Sequence, residues 1–359
     1  MKNSSISPTL QALAAALFFG ASAPLSKILL GKVEPVILAG LLYLGSGLGA
    51  VLLRLFRRAY QPAVVTEAGL KRKDVPWLIG ATVAGGILGP ILLLFGLSAT
   101  PAATASLLLN FESVATAVIA AVVFREAIGR RVWWAVGLVT LGSMVLSLNI
   151  TGNWGVSIGA FGVLGACFLW GLDNNFTRNV SGKDPLAIVS IKGLAAGSFS
   201  LVLGLFLKTT LPDLRIALLA LLVGSLCYGF SIALFVMAMR NLGAARTGAL
   251  FATAPFIGAL LSFFLLLERP SVLLLVSLPL MVAGASLLLG EDHAHLHEHP
   301  LLEHEHGHAH PDSHHRHPHP GEIMPENHTH SHWHAHPPEK HAHGHTPDLH
   351  HRHNHEPLP

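Results

Sequence analysis

Residues 101–126 read PAATASLLLNFESVATAVIAAVVFRE, a run of apolar and small side chains with one carboxylate, Glu112, near its middle. At a rise of about 1.5 Å per residue, a helix of this length crosses the roughly 30 Å hydrocarbon core of a bilayer. At a shift of 142 positions the run returns as AARTGALFATAPFIGALLSFFLLLE, residues 244–268, with Glu126 falling on Glu268. The stretch therefore predicts a membrane protein with a duplicated chain.

The composition supports a membrane protein. Hydrophobic residues make up 51% of the chain and charged residues 12%, far from the balance of soluble domains. The two cysteines, Cys167 and Cys227, lie in apolar runs and indicate neither a disulfide scaffold nor a thiolate metal site. Lys and Arg lie in short links, so the net charge of +3 does not indicate nucleic-acid binding. With no nucleotide loop and no nucleophile–base arrangement, we expect no enzyme activity.

Ten apolar runs are each long enough to span a bilayer, and they lack the alternation of barrel strands. The first is expected to be a retained span and not a cleaved signal peptide, because nine more follow it. The predicted fold class is an all-α polytopic membrane protein with ten transmembrane helices. Their ranges are 9–30, 35–55, 75–98, 101–124, 131–149, 155–177, 185–207, 213–239, 244–267 and 271–290.

The orientation is predicted from the links, because Lys and Arg accumulate on the cytoplasmic side. A cytoplasmic N-terminus places most of them inside and predicts that both termini are cytoplasmic, in the cytoplasmic (inner) membrane. Each half has an odd number of spans, so the second half must be inserted upside down. We predict inverted five-helix repeats at 1–150 and 151–290. The basic residues left outside are Lys32, Lys208, Arg215 and Arg269.

A second match supports the duplication. At a shift of 151, Phe19–Gly20 falls on Trp170–Gly171, and Ser26–Lys27 falls on Thr177–Arg178. The first and sixth predicted spans therefore each contain an aromatic–glycine pair, with a cation seven residues after the glycine. Inverted repeats of this kind bind solute between the halves near the midplane and transport it by rocking one half against the other.

Residues 102–148, AATASLLLNFESVATAVIAAVVFREAIGRRVWWAVGLVTLGSMVLSL, resemble the signature region of EamA-type permeases in the drug/metabolite transporter superfamily. FFGASAPLSK, residues 18–27, resembles the first-span motif of that family, and FLWGLDNNFTR, residues 168–178, resembles its second copy. The resemblance covers about residues 10–290 and implies ten helices, inverted repeats and a central path. It does not fix the solute, because the family carries amino acids, nucleotides, sugars, amines and other metabolites.

Glu112 is the sharpest candidate for chemistry, because an ionised carboxylate near the middle of a span costs at least ~2.5 kcal/mol. A carboxyl group there suits a proton-coupled carrier; the alternative is a glutamate that only ties two helices together. Asn110 and Ser113 flank it and are expected to share its hydrogen bonds. Ser113 also replaces a proline common in the family, which the second copy keeps as Pro255, so we expect the first copy to lack a kink.

Five further residues in the spans are candidates for the solute path: Lys27, Trp170, Asp173, Asn174 and Lys192. Lys192 is deep enough to need a carboxylate partner, whereas Lys27 can extend to an interface. Asp173 and Asn174 form a polar patch. Trp170 either lines a cavity or packs against neighbouring helices. Lys27, Lys192 and Asp173 can also have purely structural roles.

Two groups of residues have simpler expected roles. The helix-weakening residues at 85–90, GGILGP, predict either close helix contact or a hinge in the third span. Glu126 and Glu268, each beside an arginine, are expected to form interfacial ion pairs.

The segment 291–359 differs from the rest, because all 24 histidines lie between His293 and His355 among many prolines. Such a segment cannot bury enough apolar surface to offset its ordering entropy, which predicts a disordered cytoplasmic tail. Neutral imidazoles bind zinc, nickel, cobalt and copper(II), so we expect the tail to bind divalent metal. The candidate ligands are His293, His295, His297, His299, His304, His306, His308, His310, His328, His330, His332, His334, His336, His341, His343 and His345.

Three functions remain open at this point. The first is a secondary carrier that exports a small metabolite, with the tail as metal sensor or buffer. The second is an exporter of nickel, cobalt or zinc, although no histidine lies in any span. The third is a membrane-tethered metal sensor or store. No cofactor is expected for transport. The expected partners are a small-molecule solute, the bilayer and divalent metal ions. The sequence is compatible with both a monomer and a homodimer.

Overall fold

The computed structural model describes residues 7–60, 69–124, 130–149, 155–180, 183–242, 247, 250–288, 293–299, 302–309, 329–336 and 339–345. In the segments beyond residue 288, and at a few helix ends, only the backbone is described.

From residue 8 to residue 288 the described chain is almost entirely helical. The α-helices are α1 (Pro8–Leu30), α2 (Pro35–Tyr60), α3 (Val75–Ala81), α4 (Gly89–Ser98), α5 (Ala102–Leu108), α6 (Phe111–Val122), α7 (Arg130–Ser147), α8 (Ile158–Arg178), α9 (Pro185–Phe206), α10 (Leu214–Gly224), α11 (Ser231–Leu242), α12 (Ala254–Leu265) and α13 (Val272–Leu288). A short 3₁₀ turn, Arg72–Asp74, precedes α3, and π-helical turns at Thr82–Leu88 and Ser225–Phe230 join α3 to α4 and α10 to α11.

Several helices begin at polar caps that the link sequences supply. The Ser7 hydroxyl accepts a hydrogen bond from Leu10 N at 3.3 Å, and the Asp184 carboxylate accepts one from Leu186 N at 3.0 Å. A proline follows each of these caps, and its missing N–H costs nothing at a first helical position. The link signals therefore determine where these spans start.

Each of the ten predicted ranges contains a helix, and among the described residues six helical segments meet the length and apolarity of a membrane span. α12 and α13 are apolar but shorter. The chain is thus an integral membrane protein in its architecture, whereas the count of ten spans and their inverted relation stay predictions. The six segments are Pro8–Leu30, Pro35–Arg57, Arg72–Ser98, Ala102–Val122, Pro185–Phe206 and Leu214–Ala238.

The exterior of the bundle is apolar. Large side chains such as Trp134, Ile158 and Phe206 are 68%, 86% and 81% exposed. So much exposed apolar surface is compatible with a bilayer around the helices and unfavourable in water.

Helices from the two halves of the chain pack closely through glycines. α2 packs along α9, where a Cβ placed on Gly193 would lie 2.5 Å from Gly47 N. α7 packs against α13, where a Cβ on Gly142 would lie 2.8 Å from the Met281 side chain. Small residues let helix backbones approach in this way, which matters in lipid because helix association depends on packing.

The π-helical turn at Thr82–Leu88 lies in the glycine cluster of the third span. Pro90 has no N–H to donate, so the α-helical hydrogen bonding cannot run through this point unchanged. Gly86 also makes close contact, since a Cβ there would lie 2.8 Å from the Ala196 side chain of α9. π-helical turns of this kind often occur at functional sites, because they redirect backbone carbonyls.

The described strands form three antiparallel pairs. One is a short hairpin between α7 and α8, β1 (Leu148–Asn149) with β2 (Gly155–Val156). The other two lie in the histidine-rich segment. They pair β3 (His293–His299) with β6 (Glu339–His345), and β4 (Leu302–Ala309) with β5 (Thr329–His336).

The paired strands occupy part of the segment for which the composition predicts disorder, and the disordered tail stays a prediction. Histidine alternates with another residue over most of these segments, and a period of two residues is the period of a strand. Composition alone does not reveal this periodicity. Of the predicted metal ligands, His310 and His328 lie outside the described residues.

Candidate functional site

The fourth span is interrupted next to Glu112. α5 ends at Leu108 and α6 begins at Phe111, and Asn110 N donates to Leu107 O at 3.1 Å in the intervening turn. The Asn110 side chain donates to the same carbonyl at 2.9 Å. This local bond competes with the helical pattern and interrupts the α-helix without a proline. Leu109 and Asn110 keep right-handed helical backbone angles, so Ala102–Val122 remains one helical segment. The expectation that Ser113 leaves the first copy without a kink stays a prediction.

Glu112 lies in the first turn of α6 and is hydrogen bonded to α8. The Asn174 amide donates to Glu112 Oε1 at 2.9 Å and to Thr116 Oγ1 at 3.1 Å. Thr116 in turn donates to Glu112 O at 2.8 Å. Asn110 bonds the backbone of α5, so the described partner of the carboxylate is Asn174 from α8. The Asn174 side chain is exposed although it lies within α8.

Asp173 and Lys192 form an ion pair between α8 and α9. Lys192 Nζ lies 2.5 Å from Asp173 Oδ1 and 2.7 Å from Oδ2, and Thr177 donates to Oδ1 at 2.8 Å. The two charged side chains are only 15% and 12% exposed. A buried charge is costly unless it is paired and hydrogen bonded, and each partner here satisfies the other. The carboxylate partner predicted for Lys192 is thus Asp173.

The carbonyl of Gly85, in the π-helical turn, joins that turn to the helices α2 and α8. It accepts hydrogen bonds from Tyr43 Oη of α2 at 2.6 Å and from Trp170 Nε1 of α8 at 2.9 Å. A Cβ on Gly85 would overlap the carboxylate of Asp173, so only glycine leaves room for the ion pair. Trp170 is buried, and its indole is a hydrogen-bonding contact beside the polar cluster.

Aromatic rings continue from this cluster into the second half of the chain. Tyr43 lies 5.8 Å from Tyr228, Tyr228 lies 6.0 Å from Phe19, and Phe19 lies 5.3 Å from Phe251, measured between ring centroids. These distances are typical of favourable aromatic pairs. The polar cluster around Glu112 and Asp173 and the aromatic row therefore lie at the junction of the two halves.

Lys27 and Glu268 lie together at one end of the bundle, at the turn between α4 and α5. Lys27 Nζ donates to Leu97 O, to Ser98 O at 3.1 Å and to Thr100 O at 2.9 Å. Glu268, expected to pair with Arg269, accepts hydrogen bonds from Ala102 N and Ala103 N at 2.7 and 2.8 Å. The residue Glu126 lies outside the described part of the chain.

The two parts of the fourth span pack against different helices. α5 packs chiefly against α12, whereas α6 packs chiefly against α8 and α7. At the first contact a Cβ on Gly258 would lie 2.8 Å from Ser106 Oγ, and at the second a Cβ on Gly171 would lie 2.9 Å from the Ala115 backbone. The break at Asn110 separates these two packing partners.

The sequence profile described as the EamA-like transporter family matches residues 7–148 and again residues 157–290. The chain belongs to the EamA-like transporter family. A relative described as an uncharacterized transporter, from Methanothermobacter thermautotrophicus, is 31% identical over 296 residues, which cover 77% of this chain and 84% of the relative.

A solved crystal structure of a protein has a TM-score of 0.57 with this EamA-like chain at 18% identity. The matched region covers 78% of this chain and 94% of the other chain, and the likeness supports the fold alone. Members of the EamA-like family and the relative are transporters, which fits the expectation that the chain is not an enzyme.

The structure brings together most of the sequence-predicted residues of this EamA-like chain. Glu112, Asn174, Asp173, Lys192 and Trp170 lie in one region. Lys27 lies apart from them at the α4–α5 turn. Among the described side chains no group of three or more His, Cys, Asp or Glu is placed to hold a metal.

Sequence reasoning missed three residues of the site: Tyr43, Thr116 and Thr177. Thr116 follows Glu112 by four residues, and Thr177 follows Asp173 by four, which places each pair on one helix face. That spacing was a usable signal. Tyr43 is a phenol in an apolar span, and such a hydroxyl normally finds a partner when it is buried.

Proposed function

We propose that this protein is a secondary active transporter that exports a small metabolite across the cytoplasmic membrane, with Glu112 as its coupling carboxylate. The observation that carries the proposal is the hydrogen bond between Glu112 and the exposed amide of Asn174, beside the break in the fourth span. Ionisable groups inside a span are costly, and where they persist they mark a solute or proton path.

The packing of the fourth span supports access to Glu112 from the end of the bundle opposite Lys27. On the Lys27 side of the break, α5 is packed against α12 from the second half. On the other side, Ser113 and Asn174 are exposed. A carrier that works by alternating access needs such a state, closed at one end and open at the other.

The orientation proposed for this state places the open end and both termini in the cytoplasm. The support is the excess of Lys and Arg in the links at that end, which follows the positive-inside rule. An alkaline phosphatase fused after Pro359 is expected to be inactive in cells, because this reporter folds only outside the cytoplasm. An active fusion would contradict the orientation.

Glu112 is proposed to couple transport to protons, because a carboxyl group can exchange a proton for a charge that Asn174 still stabilises by its hydrogen bond. Asp173 forms an ion pair with Lys192, so we propose it as part of the wall of the path. Glu112 is then the group proposed to exchange the proton.

The test uses proteoliposomes that contain a pH-sensitive dye and a panel of amines, amino acids, nucleosides and sugars. The wild-type protein is expected to couple at least one solute gradient to proton movement across pH 5 to 8. Glu112→Gln preserves the size of the side chain and loses the titrating group, so we expect no solute-driven proton movement. Glu34→Gln is the matched control, because Glu34 is exposed in the link between α1 and α2.

Two results would contradict the proposal. One is a Glu112→Gln variant that moves protons with the solute as the wild type does. The other is an equal loss in Glu34→Gln, which would indicate a general effect of removing a carboxylate.

A second proposal concerns the histidine-rich segment, which we expect to bind divalent zinc, nickel, cobalt or copper(II) as a regulatory or buffering device. The backbone register supports it, because histidines lie directly opposite each other in both strand pairs of the segment, β3 with β6 and β4 with β5. Directly opposed residues of an antiparallel pair have Cβ atoms about 4.5–5.5 Å apart, a separation that suits shared ligation of one ion. The opposed pairs are His293 with His345, His295 with His343, His297 with His341, His304 with His334, His306 with His332, and His308 with His330.

Transport of the metal itself is the alternative function. Glu112 and Asn174 offer oxygen ligands, but the described side chains of the spans contain no cluster for a resident ion. A metal exporter would therefore have to bind its ion transiently in the path and collect it at the tail.

A further inference from the structure

Lys27 and Glu268 hold the same short turn, the turn between α4 and α5, from two sides. Lys27 belongs to α1 and Glu268 follows α12, and these two helices pack against each other. The turn joins two groups of helices, since α4 packs chiefly against α8 whereas α5 packs against α1 and α12. The contact of Lys27 with the last carbonyls of α4 therefore crosses between the two groups, and the contact of Glu268 fixes the α5 side of the turn.

The charges of the two contacts match the ends of the helices that they bind. Lys27 lies at the last carbonyls of α4, where the helix dipole is negative, and Glu268 lies at the first N–H groups of α5, where it is positive. The first N–H groups and last carbonyls of a helix have no partner within it. In a membrane span such groups need a partner from elsewhere, and hydrogen bonds to an ionised group are the stronger kind.

The backbone before Glu268 is strained. Leu267 has φ of 53°, a left-handed conformation that leucine rarely adopts, and its side chain is 83% exposed. Leu267 follows Leu266, the C-cap of α12, and a left-handed residue at this position commonly ends a helix. This left-handed turn places Glu268 directly after the helix, where its two hydrogen bonds reach the start of α5.

The contact below the turn is a seam of small residues. A Cβ on Gly258 of α12 would lie 2.6 Å from Gly20 O and 2.8 Å from Ser106 Oγ, so α1, α5 and α12 meet here without space for solute. Ser106 is 1% exposed. In the proposed transport cycle this seam closes the path to Glu112 from this end. The turn that Lys27 and Glu268 hold lies nearer the end of the bundle, since Lys27 follows Gly20 along α1 and Glu268 comes after α12, which contains Gly258.

We propose that Lys27 and Glu268 are positioning residues that hold this end of the transporter closed, as a latch of two ionised side chains on the α4–α5 turn. The latch opens when Glu268 releases Ala102 N and Ala103 N and Lys27 releases the α4 carbonyls. α5 can then separate from α12, which opens the path to Glu112 from the Lys27 end. The inference rests on the transporter function proposed above.

The sequence repeat gives independent support, because the residues of the latch are among the residues that the two halves share. Lys27 falls on Arg178 at a shift of 151. At a shift of 142, Ala102 and Ala103 also fall on alanines, and Glu268 falls on a glutamate. A cation, a pair of small residues and a carboxylate have thus been retained together in both halves.

The experiment measures access at Ser106 with a maleimide, on purified full-length protein in detergent. The reporter is Ser106→Cys in a background of Cys167→Ala and Cys227→Ala, since both native cysteines are buried. With the latch intact, we expect slow modification. In Glu268→Gln and in Lys27→Met the modification rate is expected to rise about tenfold, the change expected when one charge-assisted hydrogen bond is weakened. Lys27→Arg keeps the charge and the donors and is expected to stay near the starting rate.

Asp213→Asn is the matched control. Asp213 also places a carboxylate at a helix N-terminus, where it accepts a hydrogen bond from Ile216 N at 3.0 Å, but it caps its own helix, α10, and joins no two groups of helices. We expect no change in the labelling rate.

The latch is contradicted if Glu268→Gln and Lys27→Met label at the starting rate, or if Asp213→Asn raises the rate as much as they do. The two variants remove opposite sides of the latch, so one that fails to fold leaves the other as the test. Labelling measures access and not transport. If the labelling rate is unchanged while Glu112→Gln abolishes solute-driven proton movement, the latch alone is overturned. If the labelling rate rises in the latch variants while Glu112→Gln still moves protons with the solute, only the coupling role of Glu112 is overturned.

Discussion

At the scale of single residues, the site depends on a glycine as much as on its charged groups. The ion pair of Asp173 with Lys192 is almost fully buried, and a buried pair is tolerated only where its geometry is good. Gly85 leaves space for the Asp173 carboxylate and offers its carbonyl to Tyr43 and Trp170. Its missing side chain is therefore part of the site.

Gly85→Ala is expected to destabilise the protein, because the added methyl group would overlap the Asp173 carboxylate and push it away from Lys192. The expected loss in the free energy of unfolding is about 1–3 kcal/mol, the usual cost of overpacking, and it is read as a lower thermal unfolding midpoint in detergent. Gly137→Ala is the control, since a Cβ there has nothing within 4 Å. Equal midpoints for the two variants would show that the contact with Asp173 is unimportant.

At the scale of helices, the fourth span positions Glu112 by being two helices instead of one. The Asn110 side chain bonds Leu107 O and interrupts the span, so α5 and α6 can pack against different neighbours. The second copy has a turn at a comparable place, where Thr253 Oγ1 donates to Leu250 O at 2.6 Å just before Pro255. A side-chain hydrogen bond and a proline thus produce similar breaks.

Asn110→Leu is expected to let α5 and α6 join into one helix, because leucine favours a helix and cannot bond Leu107 O. Glu112 would then move away from Asn174. Solute-driven proton movement in proteoliposomes should fall about tenfold or more, since small misplacements of a reacting group have large effects. Val122→Leu, on the exposed face of α6, is the control. Normal transport by Asn110→Leu would argue that the break is not needed.

At the scale of the whole molecule, the membrane domain and the histidine-rich segment are expected to have separable roles. The described spans hold a polar cluster without a metal site, and the segment beyond residue 291 holds all the histidines. The tail is then expected to regulate or buffer metal, while the membrane domain carries a solute that is not the metal.

Removal of the chain after Gly290 is expected to leave transport of the metabolite in proteoliposomes unchanged and to abolish binding of nickel, cobalt and zinc by the purified protein. Metal accumulation is compared in cells that lack the protein, carry it whole, carry it truncated or carry Glu112→Gln. Lower accumulation in the whole and truncated forms, lost in Glu112→Gln, would instead favour a metal exporter. Full metal binding by the truncated protein would contradict the role of the tail.

The transporter family and the apolar helices could be predicted from the sequence alone. Runs of twenty apolar residues have no stable place outside a bilayer or a large core, and the repeated residues showed the duplication before any contact was known. Glu112, Asp173, Asn174 and Lys192 also stood out, because charge and amide groups are expensive inside a span.

The tertiary structure alone decided which of these residues meet. Periodicity places a residue on a helix face but does not say which helix lies opposite. Only the fold shows that Asn174 is the partner of Glu112 and that Asp173 is the partner of Lys192. The stretch at 101–126 is the clearest case. Its sequence predicted one uninterrupted helix, and the structure has two, because the bond of a short amide side chain to its own backbone outweighed the continuity of the apolar pattern.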